Sequence, residues 1–463
     1  MTDPTELATT MAAIVAGARA TFSSGTTRRL AWREAQLDAI GRMLREQETL
    51  FATALAADLG KPAFESWLTE TGFVASDLTY VRRHLASWTK PTRVRTPLGA
   101  QPARSLVVPE PKGVVLVIAP WNYPLHLALA PAVAALAAGN TVIVKPSELA
   151  PATAAALAAQ LPRYVDPAAV TVVTGGVPET TALLAQRFDH ILYTGGGSVG
   201  RIVAHAAAEH LTPVTLELGG KSPAIVEASA NVKVAARRIV WGKFLNAGQT
   251  CVAPDYVLVD RRVEGRLLDE MANAIERFYG KDPLHSDRSS RIVDERHFAR
   301  LNDLLAAGTA RIGGRVDDAA LRIEPTVMTD VDVDGPLMTD EIFGPLLPVI
   351  AVDDEDDAVR FVNARPHPLA LYLFSTDQDV HDRVVARTSS GGVTINGTLM
   401  HMSSPRLPFG GVGASGFGSY HGKFGFDTFS HLKPVMTRRN FPDLAVAYPP
   451  YRRWKQAIIR RLL

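Results

Sequence analysis

The sequence contains one cysteine among 463 residues. No internal disulfide can form, which suits a reducing compartment and gives the expectation of a cytoplasmic protein. There is no excess of charge of either sign: 49 Lys+Arg stand against 47 Asp+Glu, for a net +2. That balance argues against a dedicated nucleic-acid binder and against global disorder. No apolar run is long enough for a bilayer. The longest, LHLALAPAVAALAA at 125–138, is shorter than the roughly 20 residues a span needs, and Pro131 interrupts it. The N-terminus lacks a basic segment and carries Asp3 and Glu6 early, so no signal peptide is read. Low-complexity stretches and short-period repeats are also missing. No metal site is expected.

What remains is a chain that is 47% hydrophobic and too long for one core, so two or three domains are expected. Residues 1–90 predict helices, with apolar positions at helical spacing through Trp32–Leu59 and Phe64–Trp88. Residues 91–112 are rich in proline and basic residues and hold a short β-like run, Ser105–Pro109. This is a linker or an edge hairpin. From residue 113 short apolar strands alternate with helices. Strands are predicted at Val114–Ala119, Thr141–Val144, Val170–Thr174, Ile191–Tyr193 and Val214–Leu218. Between them fall helices at His126–Ala138, Pro151–Leu161, Glu179–Gln186 and Ser198–Glu209. Gly139–Asn140 suits a left-handed cap on the first of these. A second alternating series runs from a helix at Val232–Leu245 to a strand at Gly392–Ile395. Such alternation means βαβ units, parallel sheets and helices on both faces. The tail, YPPYRRWKQAIIRRLL, ends in a basic amphipathic helix with Trp454, Ile458 and Leu462 on one face. It suits either peripheral membrane contact or docking on its own domain.

Residues 195–200 read GGGSVG after a strand and before a helix. Glycines there let backbone amides approach a pyrophosphate. The acidic residue about twenty positions on, Glu217, would ordinarily read the ribose. It sits instead in LELGGKSP, beside Gly219 and Gly220. Lys145 and Glu148 in VIVKPSE offer a cation and a carboxylate better suited to ribose hydroxyls. Their structural reading is a solvated helix start. Cys251 lies in NAGQTCVAP, polar surroundings that are unusual for an inert core thiol. A nucleophile also needs a base and an oxyanion donor. Glu217 and Asn122, each following a predicted strand, are the candidates.

PWNYP (120–124), KPSE (145–148), YTGGGSVG (193–200), LELGGKSP (216–223), GQTC (248–251), EIFGP (341–345) and PFGGVGASGFG (408–418) occur in order across about 300 residues. Together they resemble the aldehyde dehydrogenase superfamily, over essentially the whole chain. WGKFLNAGQTCVAPDYVL (241–258), LPFGGVGASGFGSYHGKFGFDTFSH (407–431) and the YPP-containing tail are similar to its class 3 branch of aromatic- and fatty-aldehyde enzymes.

The resemblance implies two doubly wound α/β domains with a small β bridging element. A Rossmann-like NAD(P)-binding domain is expected at 1–85 with 106–216, and a catalytic domain at 217–398. The bridging element is expected at 86–105 with 399–430, and a C-terminal tail at 431–463. Cys251 matches the catalytic thiol, Glu217 the general base and Asn122 the oxyanion residue. Lys145 and Glu148 match the adenosine-ribose contacts, Gly195 and Gly200 the pyrophosphate turn, Glu341 the nicotinamide-ribose carboxylate, and Phe343 the aromatic beside the nicotinamide. Gly197 departs from the family's usual Ser or Thr, which removes a hydroxyl and predicts a looser loop. NAD is expected as the preferred cofactor, with NADP also usable.

The implied reaction oxidises an aldehyde to the free acid through a thioester on Cys251. Tyr123, Trp241, Thr250 and Met402 flank the catalytic motifs and are candidate substrate-pocket residues, with plain packing as the alternative for Trp241 and Met402. An apolar pocket there would favour aromatic or medium-to-long aliphatic aldehydes. The alternative enzyme is a cofactor-independent cysteine esterase; a binding protein on the same scaffold is the alternative outside catalysis. A homodimer is expected.

Overall fold

In the computed structural model, Val114–Ile118 and Thr141–Lys145 are buried at every position. That is the signature of strands covered on both faces of a parallel sheet. The structure describes residues 4–441, 443, 446 and 448–462. The first sheet runs, edge to edge, Gly416–Phe417, Val214–Leu218, His190–Gly195, Val114–Ile118, Thr141–Lys145 and Val170–Val172. All neighbours are parallel except Gly416–Phe417, which pairs antiparallel through Gly416 and Glu217. The chain winds outward from Val114–Ile118 to one edge, then returns to its other side at His190–Gly195. A crevice therefore opens past the carboxyl ends of these two strands, where such sheets bind ligands.

The second sheet has seven strands, with Leu346–Val352, Tyr256–Asp260, Pro223–Val226 and Ala370–Phe374 at its centre. Its neighbours are parallel apart from the edge strand Thr309–Ile312. The architecture is thus α/β with two doubly wound units. Helices that flank the second sheet start on capping carboxylates. Asp294, Asp354 and Asp377 each accept a backbone N–H from the first helical turn.

Packed on the first sheet lies His126–Ala138, a helix buried along its whole length despite Pro131. Its end is set by Gly139 at φ 96, and a Cβ there would meet the Arg33 guanidinium at 2.5 Å. Asn140 completes the cap. Its Nδ2 donates to Ala135 O at 2.9 Å and Phe429 O at 3.0 Å, while its Oδ1 accepts Gly113 N–H at 2.9 Å.

Several boundaries differ from the sequence expectation. The segment 91–112 is an edge hairpin, Thr92–Val94 on Ala103–Pro111. Its main partner is Ser430–Arg438, paired along all nine positions. This three-stranded sheet therefore runs past 105 into the segment expected in the cofactor domain and past 430 into the segment expected as tail. The helix at 179–186 instead runs Val177–Leu184, with the Glu179 carboxylate accepting Gly176 N–H. The expected Phe64–Trp88 helix contains a π-helical turn, Trp67–Thr71. Arg453–Leu462 is helical and lies beside the turn Leu98–Ala100, with Trp454 and Ile458 exposed. The side chain of Leu462 lies outside the described residues. No helix among the described residues is long and apolar enough to cross a membrane.

Gly139→Ala is expected to lower stability by about 1–3 kcal/mol, because it combines left-handed backbone strain with a clash at Arg33. Thermal unfolding of the variant beside the wild type measures it; an unchanged midpoint would contradict the cap assignment.

Candidate active site

Three strand ends and one loop converge on the crevice. Asn122 follows Val114–Ile118, Thr194 and Gly195 end their strand, and Glu217 lies near the end of Val214–Leu218. Cys251 arrives on the loop before Tyr256–Asp260. That loop is bent by three successive positive-φ residues, Asn246, Ala247 and Gly248. Non-glycine residues in this region cost about 1–3 kcal/mol each, so the surroundings must enforce the bend.

Side-chain amides do so. Gln249 Nε2 donates to Asn246 O and Arg291 O, both at 3.0 Å, and its Oε1 accepts Val293 N–H at 3.0 Å. Asn246 Nδ2 donates to Asn122 O at 2.8 Å and Gln249 O at 3.2 Å. Asn122 Nδ2 donates to Gln249 O at 3.0 Å. That bond uses one amide hydrogen and fixes the plane of the Asn122 side chain, leaving the second hydrogen available. Below this lattice, the buried Lys61 Nζ pairs with Glu70 at 2.6 Å and donates to Asn122 O at 3.2 Å. Glu70 also accepts the N–H groups of Leu125 (3.1 Å) and His126 (2.8 Å) at the start of the buried helix. Lys61, Glu70 and Asn246 were not singled out from the sequence. Their contacts join segments up to 181 positions apart, which no local spacing reports.

Cys251, Glu217 and Thr194 line two cavities at once. The first, about 200 Å³, is almost wholly apolar, and Tyr123, Trp241, Thr250 and Met402 all belong to its wall. Tyr123 is held by a 2.6 Å hydrogen bond between its hydroxyl and that of Thr250. The second, about 230 Å³, is lined by Asn122, Gly195, Gly196, Gly219, Glu341 and Phe343, with Trp121, His297 and Arg300 as additional residues. Trp121 meets Phe343 edge-on at 5.4 Å.

Electrostatics at the junction are governed by burial. Glu217 is 3% exposed, and neither carboxylate oxygen has a hydrogen-bond partner. Burial holds its carboxyl well above the ordinary 4.5. Burial also pushes the Cys251 thiol up to about 12, with the Glu341 and Glu217 carboxyls adding to the shift. Burial, reinforced by Asp255, lifts Glu341 to about 8. Asp255 is anchored by Lys221 Nζ at 2.5 Å and accepts Ile342 N–H at 3.1 Å, which places the Glu341–Phe343 segment.

The residues fit a dinucleotide. Gly219 lies so close to the Glu341 carboxyl that a Cβ would strike it. At Gly195 a Cβ would strike the Tyr193 hydroxyl, and at Gly200 it would meet Leu218 at 2.8 Å, so both positions require glycine. Gly197 differs. A Cβ there would touch only Arg201, at 3.9 Å, so packing does not demand the departure. Lys145 is buried at the end of its strand, with Nζ 3.7 Å from the half-exposed Glu148 carboxylate.

A family model described as the aldehyde dehydrogenase family matches residues 4–435. The chain belongs to the aldehyde dehydrogenase family. It is 48% identical to "Aldehyde dehydrogenase family 3 member B1" of Homo sapiens, over 93% of each chain. It is 45% identical to "Aldehyde dehydrogenase, dimeric NADP-preferring" of Canis lupus familiaris, over 94% of this chain and 97% of that one. A solved structure, the substrate-bound state of Staphylococcus aureus AldH, superimposes with a TM-score of 0.95 at 42% identity, covering 97% of this chain and 99% of the other. The class 3 resemblance holds, and the protein is an NAD(P)-dependent aldehyde dehydrogenase.

Glu217 carries a stability consequence. Its folded-state pKa is raised, so the native state holds a proton that the unfolded chain gives up above about 4.5. Stability on this account falls as pH rises from that value. Glu217→Gln is expected to raise the thermal midpoint at neutral pH, with the gain closing as pH drops toward 4.5. A midpoint that falls at neutral pH would show that the carboxylate is stabilised in a way this geometry lacks.

Proposed function

We propose that the chain oxidises aromatic or medium-to-long aliphatic aldehydes to free carboxylic acids, with Cys251 as nucleophile, Asn122 as oxyanion donor and Glu217 as base. One observation carries the reading: Cys251 and Glu217 open onto both an almost wholly apolar cavity and a second one that also carries Asn122, Arg300 and Glu341. A thiol at that wall can reach an aldehyde on one side and face a cofactor on the other. Cys251 Sγ attacks the aldehyde carbon and its proton leaves to solvent, as does the proton that Glu217 holds in the free protein, which leaves Glu217 a carboxylate. The new oxyanion accepts the free amide hydrogen of Asn122 and the backbone N–H of Cys251. NAD(P), when bound, supplies the hydride acceptor that conversion of this adduct to a thioester requires. Glu217, with no protein partner on either oxygen, takes a proton from water, which attacks the thioester carbon. The C–S bond breaks, the acid leaves and the thiol is restored.

Lys145 and Glu148 would hold the adenosine ribose, the turn from Gly195 to Gly200 the pyrophosphate, Glu341 the nicotinamide ribose and Phe343 one side of the nicotinamide. The half-exposed Glu148 carboxylate opposes a 2′-phosphate, which supports NAD as the preferred cofactor. The apolar lining supports the substrate class. The homodimer is supported by the canine relative, named as dimeric.

Asn122→Ala is expected to cost about 10²–10³ in kcat, as for loss of one oxyanion donor. Cys251→Ala should form no NADH from benzaldehyde or decanal. Wild-type NADH formation by Cys251→Ala would refute the thiol assignment. Glu148→Gln should raise kcat/KM for NADP relative to NAD by about fivefold, the equivalent of about 1 kcal/mol of relieved repulsion in partly screened surroundings. An unchanged ratio would place cofactor choice elsewhere.

A further inference from the structure

The apolar cavity beside Cys251 does not end the space available to a substrate. A neighbouring chamber of about 210 Å³ shares Leu68, Phe73, Met402 and Ser403 with it, so the two adjoin across these four side chains. The outer chamber is partly walled by Trp67, which sits with Leu68 on the π-helical turn Trp67–Thr71. Such turns disrupt regular helix pairing and often mark functional sites. Within this mostly apolar lining lies one carboxylate, Asp77, which is 8% exposed.

Asp77 has no counter-charge. It accepts the backbone N–H of Gly422, and among the described residues no cationic side chain contributes to its environment. His421, the other titratable group in the chamber, is driven down to about 4 by burial and stays neutral. Burial raises Asp77 to about 6, so at neutral pH it is mostly ionised. A charge removed from water without a partner is costly, and a ligand that brings the opposite charge recovers that cost. The aromatic faces of Trp67 and Phe73 add attraction for a cation.

We propose that the outer chamber is a second recognition site, in which Asp77, flanked by Trp67 and Phe73, takes the ammonium end of an aldehyde whose chain runs through the inner cavity to Cys251. The substrate class is then an ω-ammonio aldehyde. This rests on the assignment of the inner cavity to the aldehyde. The purely structural alternative is that Asp77 serves only to hold Gly422.

Asp77→Asn separates the two, because the amide oxygen still accepts the Gly422 N–H while the charge is gone. Two readouts are made on the full-length protein. The first is kcat/KM for linear ω-ammonio aldehydes of increasing length, relative to the matched n-alkanals. The wild type should show a length at which the ammonio substrate is preferred, and Asp77→Asn should lower that ratio by about tenfold or more, as loss of a desolvated charge partner implies. The second is calorimetric binding of octylammonium and of octanol, which needs no turnover and stands even if no aldehyde is oxidised. Octylammonium should weaken by about tenfold in Asp77→Asn while octanol is unaffected. If Asp77→Asn fails to fold, Trp67→Leu at its half-exposed position should weaken octylammonium selectively, though by less. Equal effects on charged and neutral probes, or none on either, would overturn the proposal. Oxidation of n-alkanals together with an unchanged ammonio ratio would overturn it and leave the proposed function standing.

Discussion

The amide lattice around Gln249 is the interaction on which the site depends. Through Asn122, Asn246, Arg291 and Val293 it joins a strand end of the first sheet, the cysteine loop and a segment of the second unit. Every member is buried or nearly so, and orphaning one buried amide costs about 1–3 kcal/mol. The same bonds hold the left-handed bend at Asn246 and Ala247. The position of Cys251 relative to Asn122 therefore follows from the packing of two domains and not from the loop alone. The Lys61–Glu70 pair extends this rigidity to the start of the buried helix.

Beside that hydrogen-bonded network, the reacting groups are left unpartnered. Glu217 has neither a donor nor a cation for its carboxylate, and Cys251 is held as a neutral thiol. Both conditions oppose stability and favour chemistry. A carboxylate without protein partners is free to bind water, and a thiol in an apolar wall is protected until substrate and cofactor alter its surroundings. Proteins commonly break local rules at such sites and compensate elsewhere. Here the compensation is the hydrogen-bonded frame of amides a few residues away.

Much of this was legible in sequence because strand ends and glycine turns leave local marks. Val114–Ile118 is an uninterrupted apolar run with Asn122 four positions beyond it, while Lys145 ends the strand TVIVK and Glu217 lies within the strand VTLEL. What escaped notice lacked such marks. Ser430–Arg438 is exposed along most of its length and contains Pro434, so it shows no apolar alternation. The π-turn at Trp67–Thr71 differs from an α-helix by one residue per turn, too little to disturb the helical pattern. Glu70 and Asp77 read as ordinary polar positions on a helical segment and Lys61 as one between two such segments, and only the fold shows that they are buried.

The division of labour between Cys251 and Glu217 is most directly tested by a single turnover of Glu217→Gln with decanal and NAD. Intact-mass spectrometry of the quenched protein reports the acyl group, and absorbance reports NADH. The account predicts a stoichiometric burst of NADH, a decanoyl adduct on Cys251 and arrested release of acid. Continued turnover to decanoic acid at the wild-type rate, with no adduct, would contradict it.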